Sequence, residues 1–265
     1  MRTRRLFLNR LDATHEPTDA VVVIDVLRSF STAAFAFAAG AGSIYPVETI
    51  AGAFRLQQRL PNAVTTGAVG GGDPIPGFDF GNSPAELQGV RLAGRPLIQT
   101  TAAGVRGLTR FRHARALFAG SLVVGRATAM ALLELQPEEV CFVITGEWVD
   151  RDGDEDIACA DYLDALLHGE RPDPACFAAR VHGSDFGRRF QTNDNANLPL
   201  RDLELCAHAD RFDFALRVSQ VDGHLQLTRS RASPQSQARL LGDLRNGLKL
   251  HDALGFGPMP LPDCG

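Results

Sequence analysis

The sequence predicts an α/β protein built on a mixed, largely parallel sheet with helices on both faces and a partly antiparallel C-terminal portion. Two observations carry this. Five times between residues 20 and 167 an apolar, β-branched run ends in small polar residues and gives way to a helical pattern. That alternation belongs to crossover units in a parallel sheet. Further on, two short runs flank Asp222-Gly223, a hairpin signal.

The elements follow in order. Residues 20–24, AVVVI, are apolar at every position, as a strand covered on both faces must be. A polar junction over 25–32 leads into a small-residue helix to about 39. A strand over 43–47 leads to a helix through 58. Residues 77–86, GFDFGNSPAE, are a glycine-rich turn ending in Ser83-Pro84-Ala85-Glu86, a capping box with proline at the first helical position. Strands over 95–99, 116–119 and 140–144 each precede a helix, the last of these over 154–167. Pro172, Pro174, Gly183 and Gly187 break up 171–200, which reads as one short helix with loops. Strands over 214–220 and 224–229 form the hairpin, 235–250 reads as a closing helix, and 258–265 as loop or tail. A single domain spans 1–265, with 171–265 as the candidate sub-lobe.

Composition narrows the function. Apolar residues make up 45% and charged residues 22% of the 265, at a net charge of −4; this is an ordinary folded chain with no basic excess to seek nucleic acid. No window reaches membrane-spanning length, and the basic residues 1–11 lack the apolar stretch of a secretory signal. Five singly scattered cysteines predict reduced thiols and a cytoplasmic location. Small-residue helix faces make a homodimer the candidate assembly, and no sequence feature marks its interface.

Polar clusters fall at strand ends, where an open parallel sheet collects ligands and helices present unpaired N–H groups. Asp25 closes the first strand, suited to bind a metal or accept a proton; Arg28 can fork two hydrogen bonds onto a phosphate, sulfonate or carboxylate. Ser31 and Thr32 sit where the helix starts; the competing reading is a cap hydroxyl plus a structural Asp–Arg pair. Gly77, Gly81 and Asn82 are not required by the capping box and suggest a backbone approaching a ligand, with Asn82 as donor, against a plain turn. Thr100 and Thr101, before Gly104, make an anion cradle or merely a strand end and cap. In GEWVDRDGDEDIACADYLDALL (146–167), Asp156 shares a helical stripe with Cys159, Ala160, Leu163 and Leu167 that faces the core. A carboxylate there is costly unless paired or metal-bound, so Asp156, with Glu155 beside it, is the favoured ligand pair, and open water positions suit Mg²⁺. Gly40 and Gly42 close the first helix instead of opening it, so no dinucleotide fingerprint exists.

Taken together, VVVIDVLRSFSTAAFAFAAGA, GFDFGNSPAEL, TTAAGVRGL, AGSLVVGRATA and DEDIACADYL, with weaker similarity through DLELCAHADRFDFALRV, resemble the 2-phosphosulfolactate phosphatase family. The resemblance implies a mixed α/β fold and Mg²⁺-dependent removal of phosphate from phosphosulfolactate or related 2-phospho acids, within coenzyme M synthesis where that pathway exists. It would gather Asp25, Arg28, Gly81, Asn82, Ser83, Thr100, Thr101, Glu155 and Asp156 into one site, Asp25 and Arg28 as catalytic groups and Asp25, Glu155 and Asp156 as metal ligands. Ser31, Thr32 and Gly104 join the substrate-binding set. The chain departs from the family at Ala68, where a glutamate is usual, and at Ala102, Ala103 and Val105, in place of polar residues. Glu147 is the candidate replacement for the lost charge. The alternative function is a relative that binds a small phospho- or sulfo-anion without turnover.

Overall fold

The computed structural model describes residues 1–11, 19–70, 72–192 and 194–233; the closing helix and tail expected beyond 234, and Cys264 with them, lie outside the described residues. The chain order is β1 (Arg2–Phe7), β2 (Ala20–Ile24), α1 (Ser29–Ala38), β3 (Ser43–Pro46), α2 (Ile50–Arg59), β4 (Val64–Val69), β5 (Asp73–Pro74), β6 (Pro96–Thr100) and α3 (Gly104–Arg110). It continues through β7 (Ala116–Gly120), α4 (Gly125–Leu135), β8 (Glu139–Ile144), α5 (Asp154–Leu167), α6 (Pro174–Gly183), α7 (Asp185–Gln191), α8 (Leu200–Cys206), β9 (Ala215–Val221) and β10 (His224–Ser230). One sheet runs β1-β8-β2-β7-β9-β10-β3-β6-β4-β5.

Strand β2 shows why its run is wholly apolar. Val21 and Val23 pack into one core, Ala20, Val22 and Ile24 into the other, because successive side chains of a strand point to opposite faces. Phe30, Ala33, Ala34 and Phe37 of α1 cover the first face with Leu108 of α3. Leu132 of α4, Leu163 of α5, Phe186 of α7 and Leu203 of α8 cover the second. Helices therefore flank both faces, as expected. Each fully buried Phe, Leu or Ile contributes roughly 1.5–3 kcal/mol over exposure.

The hairpin forms where Asp222-Gly223 predicts it. Both residues take positive φ (49° and 78°), as a tight two-residue turn requires. Its place in the sheet is the surprise. Strand β9 lies antiparallel to β7, and β10 antiparallel to β3, so the hairpin joins two parallel sets, β1-β8-β2-β7 and β3-β6-β4, of opposite sense. Over the five steps from β2 to β6 the ordinary strand twist of about 20–25° per step accumulates to about 110°. The segments that follow β2 and β6, one strand from each set, nevertheless meet, with Ser29 Oγ 2.8 Å from Thr101 Oγ1.

Two expectations are corrected, and an edge strand is added to those the sequence predicts. Residues 171–200 hold α6, α7 and the start of α8, not one short helix. Asp173 caps α6 by accepting the Ala175 N–H at 2.9 Å, with Pro174 opening the helix, and Ser184 Oγ caps α7 by accepting the Gly187 N–H at 3.0 Å. The proline and glycine read as breakers are parts of starts. Residues 2–7 form edge strand β1, whose arginines reach Glu139 and Asp161 at 3.2 and 2.6 Å. Cys141, Cys159 and Cys206 are buried free thiols, whereas Cys176 is disulfide-bonded. Among the described residues no helix is long and apolar enough to cross a membrane.

Candidate active site

The polar junction after β2 divides into a cap, an anchor and an acid cluster. Asp25 is buried; its Oδ1 accepts the Ser29 N–H at 3.0 Å and its main-chain oxygen that of Phe30 at 3.1 Å. A further N–H, from Gly104, also reaches its carboxylate. Gly104 must lack a side chain: a Cβ there would sit 2.8 Å from Asp25 Oδ2 and 2.9 Å from Ser29 Oγ. Ser29 Oγ in turn shares a proton with Thr101 Oγ1 at 2.8 Å, and its carbonyl accepts from Gln99 Nε2 at 2.8 Å. The ends of β2 and β6 thus meet at Asp25, Ser29, Thr101 and Gly104. The buried Thr100 Oγ1 has no partner.

Arg28 points elsewhere. Only 3% of the residue is exposed, and Nη1 donates to Asp202 Oδ2 at 2.6 Å and to the Asn197 carbonyl at 2.9 Å. The other oxygen of Asp202 accepts from Ser83 Oγ at 2.8 Å and from the Ala85 N–H at 2.9 Å. A fully buried aspartate therefore locks the arginine to the turn over 77–86. That turn is sewn to β4: Asp79 accepts both the N–H and the hydroxyl of Thr65 at 2.8 Å, and Thr66 Oγ1 donates to the Gly81 carbonyl at 2.6 Å. The capping box is distorted into a single 3₁₀ turn, Ala85–Leu87, in which Ser83 Oγ accepts from the Glu86 N–H at 3.3 Å. Glu86 reaches back to the Gly81 N–H at 2.7 Å, so Gly81 has a structural partner that the sequence did not indicate. Arg28, Gly81, Asn82 and Ser83 line a cavity of about 320 Å³ with Asn197. Asn82 Oδ1 is buried there without a partner.

Glu155 and Asp156, in the first turn of α5, are both buried but differently met. Asp156 accepts the N–H groups of Val26 (2.8 Å), Thr145 (3.0 Å) and Gly146 (2.7 Å), so it clamps the ends of β2 and β8 to α5. Glu155 Oε2 has no partner. A Cβ on Gly146 would overlap Glu155 Oε1, so glycine is needed where the carboxylate passes. Burial pushes the Glu155 carboxyl up to about 7, assisted by the charges of Asp152 and Asp25. Burial likewise raises Asp25, and raises Asp156 well above the usual range with the charges of Glu155 and Asp25 adding to it. Burial raises the proton affinity of all three carboxyls, and the charge of Asp25 reaches both Glu155 and Asp156.

The structure thus brings together Asp25, Thr101, Gly104 and, through electrostatics, Glu155 and Asp156; Arg28, Gly81, Asn82 and Ser83 form the adjoining wall. Among the described residues no side-chain hydrogen bond joins Ser31 or Thr32 to these groups. Ser31 Oγ donates to the Val26 carbonyl at 2.7 Å and meets Ser121 Oγ at 2.6 Å, and Thr32 is fully buried with its hydroxyl unpartnered. Glu147 turns away to pair with Arg10, so it does not restore the charge absent at Ala68. Asp202 and Ser29 were missed as site residues. The signal for Asp202 was an acid in the first turn of a short helix within the DLELC segment.

A family model described as 2-phosphosulpholactate phosphatase matches residues 7–220. A "probable 2-phosphosulfolactate phosphatase" of Carboxydothermus hydrogenoformans is 36% identical over 217 residues, 78% of this chain and 87% of that protein. Its Bacillus subtilis counterpart of the same name is 32% identical over 210 residues, covering 79% and 90%. The one of Deinococcus radiodurans is 33% identical over 196 residues, covering 71% and 80%.

Proposed function

The chain belongs to the 2-phosphosulpholactate phosphatase family, and from that premise we propose that it is a Mg²⁺-dependent phosphoric monoester hydrolase. Its substrate in this reading is a small 2-phospho acid such as 2-phosphosulfolactate, which takes up water to give the hydroxy acid and phosphate. The observation that carries the proposal is a pair of buried carboxylates, Asp25 and Glu155, within reach of each other's charge and one with an unpartnered oxygen, with Arg28, three residues from Asp25, lining a cavity.

These residues fit the cation. Among the described residues no three His, Cys, Asp or Glu side chains converge as a ligand set. Mg²⁺, however, is ordinarily held by one or two carboxylates and kept waters. Asp25 and Glu155 would hold it, with Asp156 occupied by main-chain donors as the support behind them. Bound there, Mg²⁺ supplies Lewis-acid neutralisation of phosphoryl oxygens.

The chain's own groups do the rest. The Ser29 and Gly104 N–H groups fix the Asp25 carboxylate in orientation. Burial raises its proton affinity in the metal-free protein, so binding of the cation there would displace a proton from it. The bonds of Arg28 to Asp202 and Asn197 both run through Nη1, so its other N–H groups are the candidate contacts to phosphoryl oxygens, where charge builds in the transition state. Asn82 and Ser83 line the same cavity as Arg28.

The test is phosphate release from 2-phosphosulfolactate and 2-phospholactate with Mg²⁺ and with EDTA, by the wild type and Asp25→Asn. Metal-dependent release that the variant loses is the expected result. Folded wild type that releases no phosphate from either substrate overturns the proposal.

A further inference from the structure

A second cavity, of about 570 Å³, opens beside the first and is lined by Trp148, Asp150, Arg151, Phe186, Arg189 and Asn195 among others. Its two arginines rest on one ring: the guanidinium carbons of Arg151 and Arg189 lie 4.8 and 5.8 Å from the centroid of Phe186. Two like charges over one phenyl ring repel each other unless an anion lies between them. Asp150 is that anion. Its Oδ2 accepts from Arg189 Nη2 at 2.7 Å, and its Oδ1 lies 3.9 Å from Arg151 Nε. Arg189 Nη2 also donates to the Asp150 carbonyl at 3.2 Å.

The arrangement is a weak one to have been built for stability. The Asp150 side chain is 57% exposed and that of Arg189 44%, and exposed ion pairs hold little free energy. Arg151 Nε is meanwhile buried with no hydrogen-bond partner. A donor left open behind an easily displaced carboxylate is what a site for an incoming anion needs. An aromatic relay links the pair to Arg28, which stacks on Phe190 at 5.4 Å, and Phe190 meets Phe186 edge-on at 5.4 Å. The charge of Arg151 acts on Asp25 as that of Arg28 does. The two cavities are lined by neighbouring residues of the same segments, Gly70 and Gly72, Asn195 and Asn197, Leu198 and Pro199, so the arginine pair lies next to the cavity that Arg28 lines.

Resting on the phosphatase reading above, we propose that Arg151 and Arg189 seat the second anionic group of the substrate, a sulfonate or carboxylate, and that Asp150 fills this seat until the substrate displaces it. The internal carboxylate keeps the pair compensated in the free protein. It also selects against phosphomonoesters that carry no second charge, since these cannot displace it.

Calorimetric binding of 3-sulfolactate to wild type, Asp150→Asn and Arg189→Gln tests the seat without turnover. Removing the competing carboxylate is expected to tighten binding about threefold, the worth of an exposed ion pair. Removing the guanidinium is expected to weaken it about tenfold, as loss of a charge-assisted contact does. Asp213→Asn and Arg231→Gln, the same exchanges at an exposed pair 3.1 Å apart, separate a local effect from net charge and are expected to change nothing. Binding that is absent from all the proteins, or unchanged or weaker in Asp150→Asn, overturns the seat. The expected pattern without Mg²⁺-dependent phosphate release would leave the seat standing and remove the phosphatase reading. Phosphate release without the pattern would do the reverse.

Discussion

Glu155→Gln should make the metal-free protein more stable, not less. The unpartnered Oε2 means that the substitution removes a charge without breaking a hydrogen bond at that oxygen. The carboxyl is raised from 4.5 to about 7, chiefly by burial. At about 1.36 kcal/mol per pKa unit, its ionised form costs the folded protein about 3 kcal/mol at pH 8. The sign follows from linkage. Because the folded pKa lies above the unfolded one, the proton-linked stability is fully present below about pH 4.5 and is lost as pH rises through about 7. Urea and thermal unfolding in EDTA between pH 5 and 8 should show the variant ahead by about 3 kcal/mol at pH 8, or about 6–10 °C for a chain of this size. The gap should close towards pH 5. Adding Mg²⁺ should stabilise the wild type and leave the variant nearly unmoved, since the variant lacks one of the two carboxylates assigned to the cation. A variant no more stable than wild type at pH 8 in EDTA would refute the reasoning, as would equal stabilisation of both proteins by Mg²⁺.

Three further substitutions probe the frame around that site. Asp202→Ala strips the buried Arg28 of its counter-charge and takes the acceptor from Ser83 Oγ and the Ala85 N–H. It should cost about 3–5 kcal/mol in urea unfolding, part of which Arg28→Met in the same chain should recover. A cost under about 1 kcal/mol would mean that the pair does not hold the turn. Arg28→Lys keeps a charge for Asp202 but loses the planar fork; phosphate release should fall by about 10²-fold, and an undiminished rate would take Arg28 out of the chemistry. Gly146→Ala places a methyl group onto Glu155 Oε1; the Mg²⁺-dependent rise in melting temperature should vanish, at about 1–3 kcal/mol of overpacking, and a preserved rise would place the cation elsewhere.

What the sequence disclosed and what it hid follow from the range of the forces involved. Strands such as residues 20–24 and 116–120 are legible because burial on both faces demands an apolar side chain at every position. The strand over 2–7 is not legible, since RTRRLF answers its acidic neighbours with arginines instead of alternating apolar residues. Pro174 and Gly187 read as breakers because a breaker and a cap use the same residues, and only the caps at Asp173 and Ser184 tell them apart. The hairpin turn is local chemistry and was readable; its position at the centre of the sheet depends on pairing with β3 and β7 and was not.

The acid cluster shows the same division more sharply. Helical periodicity identifies Asp156 as the carboxylate on the buried stripe, and it is buried. Periodicity is silent on what meets a buried group. The structure gives Asp156 three main-chain N–H donors from two strand ends and leaves Glu155, one residue earlier, with an open oxygen. A carboxylate already satisfied by the backbone can hold a site in shape, while one with an unfilled lone pair is the one with something left to bind. Arg28 obeys the same rule in reverse. Its partner Asp202 lies 174 residues away, so a side chain that reads as a free anion binder is already committed at one nitrogen, and what it can do for a substrate is limited to the nitrogens that remain.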